Sequence, residues 1–398
     1  MPEPFHVPLS EITSRKERIQ QKLQENGIDG ALIVQRVDLF YFSGTAQNGF
    51  LYMPAEGEPL LLIKKFYPRA KKESPLGQIH EIRSFKEIPE RILDFYGAPP
   101  KVLGFELDVL PVNYFNKLKI LFPESQITDA APLILETRMI KSDWEIEQME
   151  NTADLSRKTF EYMRANIRPG ISEMEFAGMY ETYSRKLGHG ALLRIRDFLA
   201  EGYPWHVLSG KSGGMVGLLD SPMSGEGTSA AFPCGAGNKL LAPNEPIMID
   251  IGAVLNGYHI DETRMFAIGS MPERAMKACE AVIEIRKGVL ERVKPGATFD
   301  ELYQFSVARA KTLGYEDQYL GPPDYKVSFL GHGLGLELVE PPFIAKGRKG
   351  ELKPGMTFAI EPKIIFEHEF AAGIEDVFLV TDTGYRLLSK LPAEVFIC

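Results

Sequence analysis

Asp250 sits in the run Ile247-Met248-Ile249-Asp250-Ile251-Gly252-Ala253-Val254-Leu255, whose β-branched content reads as a buried strand. Asn256-Gly257 follows, the strongest short hairpin signal, and Tyr258 to Phe266 then returns antiparallel. Pairing Leu255 with Tyr258 sets Asp261 opposite Gly252, so Asp250 and Asp261 become diagonal neighbours roughly 6–8 Å apart on one face. The small residue opposite Asp261 is expected to leave room for an ion. Two carboxylates so close in an apolar setting repel and resist burial, and a cation is the usual remedy. A solvated hairpin with two surface aspartates is the alternative, against which the flanking isoleucines argue.

The theme returns further along the chain. Met356-Thr357-Phe358-Ala359-Ile360-Glu361-Pro362 ends an apolar strand on a glutamate, and Gly373-Ile374-Glu375-Asp376-Val377 places another near the start of a return strand. Between the hairpins stands Gly331-His332-Gly333-Leu334-Gly335, whose glycines let backbone approach and expose the imidazole. Four acidic groups and one imidazole form an oxygen-rich set suited to two divalent ions, Mn²⁺ or Co²⁺ first, with Zn²⁺ or Fe²⁺ as alternatives. Such a pair would neutralise the carboxylates and acidify a bridging water into an attacking hydroxide.

The order Asp, Asp, His, Glu, Glu, in the settings Ile249-Asp250-Ile251-Gly252, Asp261-Glu262-Thr263-Arg264, Gly331-His332-Gly333-Leu334-Gly335-Leu336-Glu337, Ile360-Glu361-Pro362 and Ile374-Glu375-Asp376, resembles the pita-bread metallopeptidases, the superfamily of methionine aminopeptidase, aminopeptidase P, prolidase and creatinase. The resemblance implies that Asp261 and Glu375 bridge two ions, that Asp250 binds one of them, and that His332 and Glu361 complete the other. It also implies a homodimer. Three positions depart from the pattern. Val339 stands where a histidine follows the glycine-rich loop, Gly373 replaces an arginine two residues before the last glutamate, and Val207 to Asp250 contains no histidine. His206, His259 and His189 are the imidazoles left to move protons, and Glu361, His206 and His259 are the catalytic candidates. The leading expectation is an Xaa-Pro aminopeptidase- or dipeptidase-like hydrolase in which a metal-bridging hydroxide attacks the amide of a short peptide. Val339 and Gly373 favour an alternative, a creatinase-like enzyme acting on a small non-peptide molecule. A non-catalytic binding protein on the same fold is a third reading, opposed by the retention of all five ligands.

The elements that must position these residues divide the chain in two. Residues 1–137 alternate helices and strands, with strand candidates Ala31-Leu32-Ile33-Val34 and Pro59-Leu60-Leu61-Leu62-Ile63, and read as a smaller α/β domain without a chemical motif, which resembles the creatinase N-terminal type. Residues 138–398 read as an α+β pita-bread catalytic domain, opened by the capping box Ser142-Asp143-Trp144-Glu145. This second domain contains an echo. Pro169-Gly170-Ile171-Ser172-Glu173-Met174-Glu175 and Pro295-Gly296-Ala297-Thr298-Phe299-Asp300-Glu301 each cap a helix that stops at Leu-Gly, and each is followed by a carboxylate-bearing hairpin. Two duplicated halves enclosing a cleft are the expectation.

Composition narrows the partners. A 398-residue chain that is 44% hydrophobic and 25% charged reads as globular. The net charge of −9 comes without a basic block, which points away from nucleic acid and anionic membrane and toward a short peptide or other small substrate. The first residues lack the basic-then-apolar pattern of an export signal, and Cys234, Cys279 and Cys398 match no disulfide or zinc-finger spacing, so the cytoplasm is the expected setting. Ser209-Gly210-Lys211-Ser212 resembles the end of a phosphate-binding loop, but Trp205 occupies the place of the first glycine.

Overall fold

The computed structural model describes residues 5–196, 206–219 and 221–398; Trp205 lies outside them. The chain separates into two compact units, Met1–Arg138 and Met139–Cys398. In the first, a six-stranded sheet runs in the order Ile79–Glu81, Leu60–Ile63, Gly49–Pro54, Gly30–Ile33, Val102–Phe105, Gln126–Asp129. Both expected strand runs are present. Leu32, Leu60, Leu62, Leu103 and Phe105 build its core with Ile88 and Ile92 from a flanking helix.

The second unit repeats a plan. Helices Asp143–Asn166 and Glu173–Lys186 accompany the first carboxylate hairpin, and helices Glu273–Leu290 and Phe299–Thr312 accompany the second. Ser142 and Thr298 close full capping boxes, and the Ser172 side chain accepts from the Glu175 N–H. Gly188 and Gly314 follow the ends of the two echoed helices with φ of 103° and 84°, the left-handed region in which glycine ends a helix without a Cβ clash.

Four strands form the first sheet, ordered Val395–Ile397, Tyr258–Ala267, Ile247–Leu255, His206–Ser209. The hairpin takes the register set by its Asn256-Gly257 turn, with Leu255 facing Tyr258 and Gly252 facing Asp261. Gly252 does not leave room for an ion, however. A Cβ there would lie 2.9 Å from both Leu193 and Leu338, so its smallness admits two leucines. Five strands form the second sheet, ordered Glu340–Ala345, Phe329–Gly333, Thr357–Ile360, Asp376–Val380, Tyr385–Leu387, and the strands Lys363–Phe366 and Phe370–Gly373 pair as a separate two-stranded ladder.

Two devices join the halves. Thr263 bridges to Glu375 through a backbone bond of 3.2 Å from the Glu375 N–H and a side-chain bond of 2.9 Å from its own hydroxyl. Beside it the fully buried Arg264 donates to the Thr263 carbonyl at 2.9 Å, the Glu375 carbonyl at 2.7 Å, the Pro392 carbonyl at 3.0 Å, the Leu391 carbonyl at 2.9 Å and Asp376 Oδ1 at 2.6 Å. Arg286 meets the other oxygen of Asp376. The serine-rich turn after His206–Ser209 is also structural. Ser209 and Ser212 hydroxyls both donate to Glu173 Oε1, which leaves this turn bound to a carboxylate and unsuited to a phosphate.

Removing a buried charged partner strands the other, at a typical cost of about 3–5 kcal/mol. Arg264→Met is expected to lower unfolding stability by about that amount, read as a fall in the urea midpoint; a change below about 1 kcal/mol would show that the clamp does not hold the halves together.

Candidate metal centre

Each ligand candidate arrives on a different stretch of backbone. Asp250 and Asp261 come from the two arms of the first hairpin. His332 lies in strand Phe329–Gly333, paired with Ala359 on one side and Phe343 on the other. Glu361 follows strand Thr357–Ile360, and its N–H donates to the Leu330 carbonyl at 3.0 Å. Glu375 precedes strand Asp376–Val380. Strands pack this tightly because of glycine: a Cβ at Gly331 would fall 2.1 Å from the Ala359 carbonyl oxygen and one at Gly333 would fall 2.7 Å from that of Glu340.

Asp261, His332 and Glu375 each offer a ligand atom within 4.8 Å of the others. His332 Nδ1 lies 3.1 Å from the Gly333 carbonyl; that bond assigns the ring proton to Nδ1 and leaves the Nε2 lone pair for an ion. Nε2 lies 3.5 Å from Glu361 Oε1 and 3.9 Å from Asp261 Oδ2. Glu375 is 1% exposed, and its Oε1 has no hydrogen-bond partner among the described residues. Burial pushes the Asp261 carboxyl well above its ordinary range, helped by Asp250 and Glu361, and the Glu375 carboxyl likewise, helped by Asp261 and Glu361. Stranded carboxylates around an open imidazole nitrogen form a set that fits one divalent cation.

The Asp250 side differs, because a residue absent from the expected site stands there. Lys363 is 1% exposed, and its Nζ donates to Glu361 Oε2 at 2.6 Å and lies 3.0 Å from Asp250 Oδ2 and 3.7 Å from Glu375 Oε2. Burial opposes the charge on this amine, yet Asp250, Glu361 and Glu375 outweigh burial and hold its pKa well above the usual lysine range. Burial likewise opposes ionisation of Asp250, and Lys363 with His206 outweighs it and holds that carboxyl below its usual range. The ammonium thus stands beside Asp250, on the ground where the resemblance places a second ion. Strand alternation was the signal available for Lys363, since Glu361 and a residue two places on share a face.

The remaining candidates divide. His206, the residue just before the histidine-free stretch from Val207 to Asp250, faces Asp250 across the sheet, with Nδ1 3.7 Å from Asp250 Oδ2. His259 is a structural group. Its Nε2 accepts from the Arg194 N–H at 3.1 Å, its Nδ1 lies 3.0 Å from the Gly335 carbonyl, and burial lowers its pKa to about 4, which leaves no nitrogen to carry a proton for a substrate. His189 Nδ1 accepts from the Ala191 N–H at 2.9 Å. Val339 packs with Leu193, Val254 and Leu338, so an apolar cluster replaces the histidine of the resembling family.

Residues 147–382 match the model of metallopeptidase family M24, and residues 15–140 match that of the creatinase/prolidase N-terminal domain. The chain belongs to metallopeptidase family M24. Among its M24 relatives, the Xaa-Pro dipeptidase of Pyrococcus furiosus is 30% identical over 96% of this chain and 100% of its own length. An uncharacterised peptidase of Staphylococcus epidermidis is 27% identical over 95% of this chain and 99% of its own. The solved prolidase of Pyrococcus furiosus covers 94% of this chain and 99% of its own at 28% identity and a TM-score of 0.76. The Xaa-Pro dipeptidase of Bacillus anthracis, at 24% identity, shares the fold with a TM-score of 0.83 over 97% of this chain and 100% of its own. Two-domain M24 architecture and a divalent-metal requirement follow from family membership.

Carboxyls raised in the folded state favour the fold below their ordinary pKa, near pH 4, and lose that contribution as pH rises through the folded value; Asp250, held low, acts in the opposite sense and only on acidification. Metal-free protein is therefore expected to lose stability relative to Asp261→Asn as pH climbs above about 4, and added Mn²⁺ to remove the loss. Urea unfolding in EDTA across pH, compared with excess Mn²⁺, measures this; a metal-free difference that is flat with pH rules it out.

Proposed function

We propose that this M24 protein is a divalent-metal-dependent peptidase of the Xaa-Pro dipeptidase type, cleaving the amide bond of short peptides. The observation that carries the reading is the convergence of Asp261, His332 and Glu375 to within 4.8 Å in a chain that covers 100% and 99% of two relatives named as Xaa-Pro dipeptidases. Those relatives favour peptide substrates over the small non-peptide alternative. The reading includes Mn²⁺ or Co²⁺ as the ion, which an imidazole among carboxylates suits, together with a cytoplasmic setting and a homodimer. No helix among the described residues is long and apolar enough to cross a membrane.

The protein's own groups take defined parts. Asp261, His332 and Glu375 would hold the ion, and the bound ion would supply a Lewis acid for the scissile carbonyl and acidify water. The Gly333 carbonyl fixes the His332 ring so that Nε2 faces the carboxylates. Thr263 orients Glu375 by donating to Oε2, leaving Oε1 for the ion. Glu361 is held through Oε2 by Lys363 while Oε1 stays near His332 Nε2. That arrangement suits Glu361 to accept a proton from the attacking water and return it to the departing amine at Oε1. Lys363 keeps its protons and so acts as a fixed positive charge rather than as a base.

Protein stripped of metal and resupplied with Mn²⁺ or Co²⁺ is expected to cleave members of an Xaa-Pro dipeptide panel, and to lose this on chelation. His332→Ala is expected to lower kcat/KM by roughly 10²-fold or more, since an ion's contribution to the barrier is several kcal/mol. Metal-loaded protein that left every peptide of the panel intact would sink the peptidase reading.

A further inference from the structure

The ammonium of Lys363 occupies the ground between Asp250, Glu361 and Glu375, carboxylates brought in by three separate stretches of backbone. An ammonium carries three donors and a compact charge, and here three carboxylates surround it at 2.6 to 3.7 Å. Its stem is accommodated as deliberately as its charge. Lys363 pairs with Gly373 across the two-stranded ladder, and a Cβ at Gly373 would lie 2.9 Å from Lys363 Cγ and 2.8 Å from Met248 Cε. Gly373 is the position where the resembling family carries arginine. The lysine stem therefore needs the space that the glycine leaves.

We propose that Lys363 takes the place of one of the two metal ions, so that this protein binds a single divalent ion, on the side of Asp261, His332 and Glu375, with the lysine ammonium as the permanent counter-charge of Asp250. Charge supports the count. One ammonium and one divalent ion leave a single negative charge on the four carboxylates, whereas a second divalent ion beside the ammonium would turn the cluster positive and set two cations in contact. The unpartnered Oε1 of Glu375 and the open Nε2 of His332 both belong to the single-ion side. This inference rests on the reading of the site as a metal centre, and it fixes the number of ions.

The test is to count ions on the full chain. Apo-protein is saturated with Mn²⁺, passed through a desalting column and analysed for metal per chain, with electron paramagnetic resonance reporting coupling between ions. Wild type is expected to hold one Mn²⁺ with an uncoupled spectrum, and Lys363→Ala, its fold checked by circular dichroism, to hold two with a coupled one. Two ions per chain in the wild type overturn the proposal and leave the peptidase reading intact if peptide is cleaved. One ion without cleavage supports the proposal and overturns that reading. No ion in the wild type overturns both. A folded Lys363→Ala that stays at one ion also overturns the proposal, because the lysine is then not what excludes the second. Should that variant not fold, the wild-type count decides.

Discussion

Four carboxylates cannot share a dry cleft without positive charge, and the second unit is organised around that constraint. At an effective dielectric near 20, each pair of like charges about 4 Å apart costs about 4 kcal/mol, and a domain is stabilised by only about 5–15 kcal/mol in total. Asp261 and Glu375 show the repulsion directly, their carboxyls pushed up by burial and by neighbouring acids. Asp250 shows its relief, held down beside Lys363. The same cluster thus contains two acids pushed up and one, 3.0 Å from the ammonium, held down. That asymmetry separates the side of Asp261 and Glu375 from the side on which the ammonium stands.

Convergence of this kind is imposed by backbone geometry. Gly331 and Gly333 let neighbouring strands approach to distances that a Cβ would forbid, and the Thr263–Glu375 bridge ties the hairpin of one half to the sheet of the other. Arg264 completes the join by donating to four carbonyls and to Asp376 in a region without solvent. Buried guanidinium and buried carboxylate are tolerable because every donor finds an acceptor in the fixed fork geometry of arginine. Asp376 adjoins Glu375, so the clamp that neutralises one acid also fixes where the next one stands.

Local rules made a large part of this legible in the sequence. Asn256-Gly257 determined the hairpin register residue by residue, because a two-residue turn allows few pairings. The capping residues Ser142, Ser172 and Thr298 announced three helices of the second unit through the hydrogen bonds they still make. What sequence reasoning lacked was the filling of space. Gly252 looked like room for an ion and instead admits Leu193 and Leu338. His259 looked available on the Asp261 arm, and its ring is spent on backbone that only the tertiary fold brings near. Distant segments decide such questions, and no periodicity reports on them.

Lys363 marks the boundary between those two kinds of knowledge. Its position two residues after Glu361 puts both on one face of an extended chain, so its nearness to the acids was available from spacing alone. Its role was not, because a lysine in a strand is ordinarily a solvated side chain with its charged head in water. A Cβ at Gly373 would lie 2.9 Å from Lys363 Cγ, so the glycine makes room for the buried stem. Gly373 read alone was an arginine replaced; beside it, Lys363 brings a positive charge from the opposite strand of the same ladder. The cluster holds a cationic side chain on the opposite strand from Gly373, and the burial of Lys363 at 1% exposure is tolerable because Asp250, Glu361 and Glu375 surround it.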